Sequence, residues 1–166
     1  MYKRPLALFY LSEPPREEAP LHDFRRLPRG SDRTESPALR FEIRQALFRR
    51  VAALELFRES GSEPRRFDAT AKLTESPEPV AARMRQILSL PLNQQRAFTD
   101  PYDAYNRWRA SFEKAGVMVF QASISELDEM RRFSISETPL PVIVVNTKDS
   151  VSGRIFSMFH EMALLS

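Results

Sequence analysis

The chain has 166 residues, with 25 Lys and Arg against 22 Asp and Glu, a formal net charge of +3 and no cysteine. That length carries one ordinary domain with its own core, and the lack of cysteine excludes disulfide scaffolds, thiolate metal sites and cysteine nucleophiles. No apolar run approaches the roughly 20 residues that span a bilayer, so no membrane segment is predicted.

Lys3 to Leu11 has a basic start and an apolar stretch, but the stretch is too short for a secretion signal. Glu13-Pro14-Pro15 follows it in place of a small-residue cleavage site. A cytoplasmic location is expected. Pro14, Pro15, Pro20 and Pro28 block both helix continuation and sheet pairing. Residues 1–35 are therefore read as an irregular proline-rich arm, packing by Phe9, Tyr10, Leu11 and Phe24. Residues 36–166 are read as one α+β domain.

Ser36-Pro37 supplies an N-cap and a first-turn proline. Leu39, Ile43, Leu47, Val51, Leu54 and Phe57 then recur at helical spacing as far as Gly61. Ser76-Pro77 opens a second predicted helix through Val80, Met84, Ile87 and Leu88, with Pro91 as its stop. Asp100-Pro101 opens a third, with Ala104, Trp108 and Phe112 on one face and Gly116 at its close. The periodicity then changes. Val117 to Phe120 is a short apolar run, Phe133 to Ser136 alternates as a half-buried strand does, and Pro141 to Asn146 is mostly β-branched. After the polar turn at 147–150 the chain ends in a helix. The predicted fold is α+β: an irregular arm and helices, then a small sheet packed against the C-terminal helix.

Paired arginines interleave with glutamate, as at Arg49-Arg50, Arg65-Arg66 and Arg131-Arg132. This is the pattern of a solvated, ion-paired surface, with phosphate binding as the alternative. Trp108 and Phe112, four residues apart beside Ala104, are read as core. Arg154 is read as a surface ion pair or as a cation steering an acidic substrate. Asn146 is read as a turn former or as the end of an edge strand that takes a peptide by strand addition.

His160-Glu161 on the last helix carries the chemistry. Histidines four residues apart on one helix face can bind a single zinc, and the glutamate between them can act as general base. Here Leu164 stands where the second histidine belongs. The context is more specific than the dipeptide. Val142 to Asn146, a polar turn, then Arg154-Ile155-Phe156-Ser157-Met158-Phe159-His160-Glu161 closely resembles the ImmA/IrrE family of metallo-endopeptidases. Asp100-Pro101 through Trp108-Arg109, Phe112-Glu113 and Gly116-Val117 resembles the family's helix-then-strand segment, and Phe133-Ser134-Ile135 its next strand. Tyr2 to Ala7 and Glu13-Pro14-Pro15 resemble the junction after a helix-turn-helix domain.

The resemblance implies a zinc-dependent peptidase that cleaves a repressor-type protein in bacterial or phage gene regulation. His160 would be a zinc ligand and Glu161 the general base. The chain departs from the pattern at Leu164 and at Arg132, which replaces a small residue before the strand phenylalanine. It also stops at Ser166, before the family's acidic zinc ligand. The zinc-motif helix is thus expected not to hold zinc stably, in a domain cut at both ends relative to the family. The alternatives are a catalytically dead interaction module and a regulatory fragment linked to DNA through an upstream helix-turn-helix.

Overall fold

Ser36 turns the chain into its first long helix: its hydroxyl accepts from the Leu39 backbone N–H at 3.1 Å, and Pro37 begins α1 (Pro37–Glu59). The computed structural model describes residues 24–25, 36–72, 74–123 and 130–165. The predicted arm at 1–35 therefore lies outside the described residues, apart from a two-residue strand β1 (Phe24–Arg25). Leu39, Ile43, Ala46 and Arg50 of α1 are buried, and no residue of the helix beyond Arg50 is. The predicted apolar face at Val51, Leu54 and Phe57 thus outruns its support, and Val51 is 49% exposed. A helix of this length extends roughly 34 Å. The strands beneath it extend roughly 17 Å.

Helix α2 (Pro77–Leu88) begins as predicted, although the Ser76 hydroxyl bonds Glu78 instead of capping the backbone. Pro91 does more than stop it. It sits at the N-cap of a short α3 (Leu92–Arg96), whose sequence lacks any apolar stripe to announce it. Helix α4 (Pro101–Lys114) is capped by Asp100, whose Oδ1 accepts from Tyr102 N–H at 2.7 Å and Asp103 N–H at 3.0 Å. Gly116 ends that turn at φ +95, and a Cβ there would lie 2.3 Å from the Arg65 carbonyl oxygen. The glycine is required by both its backbone angle and the passing 62–72 connector.

Strands β2 (Met118–Ala122), β3 (Arg132–Ile135) and β4 (Val142–Asn146) match the three predicted strands, and α5 (Val151–Leu165) is the predicted last helix. The sheet order is β1-β3-β4-β2, with β2 parallel to β4 and the other pairs antiparallel. Alternation along β4 builds two cores. Val142 and Val144 meet Leu39, Ile43 and Ala46 of α1. Ile143 and Val145 join Tyr105, Phe112, Met158 and Met162 of α4 and α5 on the other face. The fold class is α+β, as predicted, with helices on both faces of the sheet.

The half-buried reading of Phe133 to Ser136 needs correction for the same reason. Phe133, Ser134 and Ile135 are all buried, because Phe133 and Ile135 face the α1 side and Ser134 faces α5. Arg50 also departs from the solvated reading. It donates to Leu140 O at 3.0 Å, Pro139 O at 2.9 Å and Glu137 Oε2 at 2.7 Å, clamping α1 to the β3–β4 connection. Among the described residues no helix is long and apolar enough to cross a membrane.

Candidate functional site

One step along a helix rotates the side chain by about 100°, and this separates the two residues of the predicted motif. Arg154, Ser157, Met158, Glu161 and Met162 form the buried stripe of α5. His160 stands on the exposed side, its ring 6.1 Å from that of Phe156, which is 65% exposed. Leu164 follows His160 on the half-exposed flank.

Glu161 points into the sheet at 4% exposure. Alternation along β3 places Arg132 and Ser134 on one face, and both reach this carboxylate. Arg132 Nε donates to Oε1 at 3.0 Å, and Ser134 Oγ donates to Oε2 at 2.5 Å. Each carboxylate oxygen therefore has a donor inside the protein. The side chains of the ion pair are 13% and 5% exposed.

These residues do not fit the zinc centre that the resemblance implies. A catalytic zinc takes three protein ligands and leaves a position open for water. Here His160 offers one imidazole toward solvent, Leu164 offers no lone pair, and the guanidinium of Arg132 sits where a dication's field would repel it. Among the described residues no group of three or more His, Cys, Asp or Glu side chains is placed to hold a metal ion.

Known proteins do not settle the question. No family model matches the chain, and no curated protein or solved structure matches it.

Arg154 is neither a surface ion pair nor a freely exposed cation: it is 7% exposed. Its Nη1 donates to Gln121 Oε1 at 2.8 Å, and its guanidinium carbon lies 5.3 Å from the Tyr105 ring centroid and 5.7 Å from that of Tyr102. Asn146 is fully buried as a turn former, donating to Met130 O at 2.9 Å and accepting from Lys148 N–H at 3.0 Å. It cannot end an edge strand, because β4 is flanked by β3 and β2. Phe112 is core at 0% exposure. Trp108 is only partly so, since it packs edge-on against Phe159 at 4.8 Å and lines an apolar groove of about 380 Å³ with Val80, Met84 and Met162.

Tyr105 was missed in the sequence, where it fell outside the Ala104, Trp108 and Phe112 stripe. It is 1% exposed, and burial raises its phenol above the ordinary value against the opposing fields of Arg109 and Arg154. Because the folded value is raised, the neutral phenol's contribution is complete below the unfolded value of about 10 and is lost as pH rises through the folded value. Urea melts of the native chain and of Tyr105→Phe at rising alkaline pH should diverge. The native chain loses stability more steeply above pH 10, and parallel losses would show that this phenol does not ionise differently in the two states.

Proposed function

We propose that this chain is a catalytically silent relative of the ImmA/IrrE metallo-endopeptidases, a cytoplasmic module that binds a repressor-type protein without cutting it. The reading is supported by one observation above the others, the engagement of both Glu161 oxygens by Arg132 and Ser134. A general base must present a free oxygen to the attacking water. A carboxylate held in the protein interior at 4% exposure, with a guanidinium on one oxygen and a hydroxyl on the other, is not placed to meet an attacking water. In its place the pair fixes β3 against α5, so the scaffold for partner binding is retained while the proton-accepting group is withdrawn.

The test measures zinc in the purified native chain and in His160→Ala, and then offers both a purified repressor-type DNA-binding protein. Equal and negligible zinc, with repressor bound intact, is the expected result. About one zinc per native chain that disappears in His160→Ala, or cleavage of the repressor by the native chain, would overturn the silent assignment. A repressor that neither binds nor is cut removes the partner assignment.

A further inference from the structure

Among the described residues three arginines are withdrawn from solvent, and two of them meet a carboxylate. Arg50 pairs with Glu137 at 2.7 Å and Arg132 with Glu161 at 3.0 Å. Arg154 is as buried as Arg50, yet among the described residues no carboxylate reaches it within ion-pairing distance. Its neighbours are a neutral amide and two aromatic faces, and its Nε has no hydrogen-bond partner. The hydroxyl of Tyr105, whose ring centroid lies 5.3 Å from that guanidinium carbon, has none either. A buried cation is costly unless a counter-charge meets it, and a buried donor is costly unless an acceptor does. Aromatic faces and one amide oxygen offset only part of this.

We propose that Arg154, Tyr105 and Tyr102 form a receiving site for a carboxylate. The site lies where the first turns of α4 and α5 meet the C-terminal end of β2, which supplies Gln121. Its two unpartnered donors, Nε–H and the phenolic O–H, match the two oxygens of one carboxylate. The site's charge also selects a monoanion. Arg109, the other cation acting on Tyr105, is already paired with Glu113 at 2.8 Å, and Asp100 and Asp103 occupy the α4 turn that carries Tyr102. Asp103 is in turn paired with Arg107 at 2.8 Å, so Arg154 brings the one unpaired guanidinium to this site, which suits a carboxylate better than a phosphate dianion. Tyr102 is 61% exposed and lies over the guanidinium, so rotation of this one exposed side chain opens the site to solvent. The ligand is either a free small acid or the glutamate or aspartate side chain of a peptide. This site is independent of Glu161 and of the silent-peptidase reading.

The experiment follows the Arg154 Nε–H resonance of the full chain during titration at constant ionic strength. One arm uses acetate, another a capped Ala-Glu-Ala peptide, and the controls are chloride and the Ala-Gln-Ala peptide. Arg154→Gln supplies the assignment. A saturable shift with acetate and the glutamate peptide, absent with both controls, is the expected result. Tyr105→Phe should weaken it by about ten- to a hundredfold, the loss of one hydrogen bond to a charged group. Equal affinity in the two arms identifies a free acid as sufficient, and markedly tighter binding of the glutamate peptide identifies a peptide side chain. Should Arg154→Gln fail to fold, Tyr105→Phe still decides, because it alters only the hydroxyl. No saturable shift in either arm, or a response to chloride equal to that to acetate, overturns the proposal.

Discussion

Replacing Arg132 with alanine lowers the unfolding free energy by about 3–5 kcal/mol, the cost of leaving one member of a buried ion pair without its partner. The pair is suited to a penalty of this size. Glu161 is 4% exposed, and only the Ser134 hydroxyl remains to meet its charge once the guanidinium is gone. Arg132 keeps 13% exposure, so water reaches the vacated end, and the lower part of the range is expected. Chemical denaturation at neutral pH measures the loss. The double variant Arg132→Met, Glu161→Leu separates two meanings of the result. It removes both charges while keeping volume, and it should recover most of the stability, since an apolar pair often replaces a buried ion pair at little cost. A single variant within about 0.5 kcal/mol of the native chain, the ordinary range of a surface change, would show that the pair carries no structural weight.

The elements of this fold were legible in short stretches of sequence because their signals are local. Ser36 and Asp100 cap their helices with the side-chain bonds their positions promised, and Gly116 takes the positive φ at which the third predicted helix was expected to close. The β-branched run in β4 marked the central strand, which is buried on both faces. What was not legible depends on contacts far apart in sequence. Arg50, Arg132 and Arg154 look alike in a charge pattern, yet they bind residues 87, 29 and 33 positions away. Helical periodicity shows that α1 has an apolar face but not where the sheet beneath it stops, so Val51 falls in the predicted apolar series and is half exposed. At the candidate site, Arg132 was recognised as a departure and Glu161 as a base. Only the register of β3 against α5 shows that the first occupies the second. The alternation of Phe133-Ser134-Ile135 was correct, and its polar side is buried because Ser134 has Glu161 to bind.

The other large loss is expected at Phe112→Ala, at about 3–5 kcal/mol for an aromatic side chain removed from a packed core. Phe112 is fully buried, lies edge-on to Phe159 at 5.4 Å, and belongs to the cluster that joins α4 to Val119, Ile143 and Met158. The cavity cannot collapse cheaply, since the sheet holds one side and α5 the other. Phe159 next to it also packs against Trp108 at 4.8 Å, and Trp108 lines the apolar groove, so one edge of that cluster already faces open space. Trp108→Ala should therefore cost less than Phe112→Ala despite removing the larger ring. Phe156→Ser offers the opposite comparison on the same helix as the candidate site. At 65% exposure it should change stability by no more than about 0.5 kcal/mol. Denaturant midpoints for the three variants rank them directly. If Trp108→Ala proved the more costly, the groove would be closed in solution and the packing centre would lie there, not between α4 and the sheet.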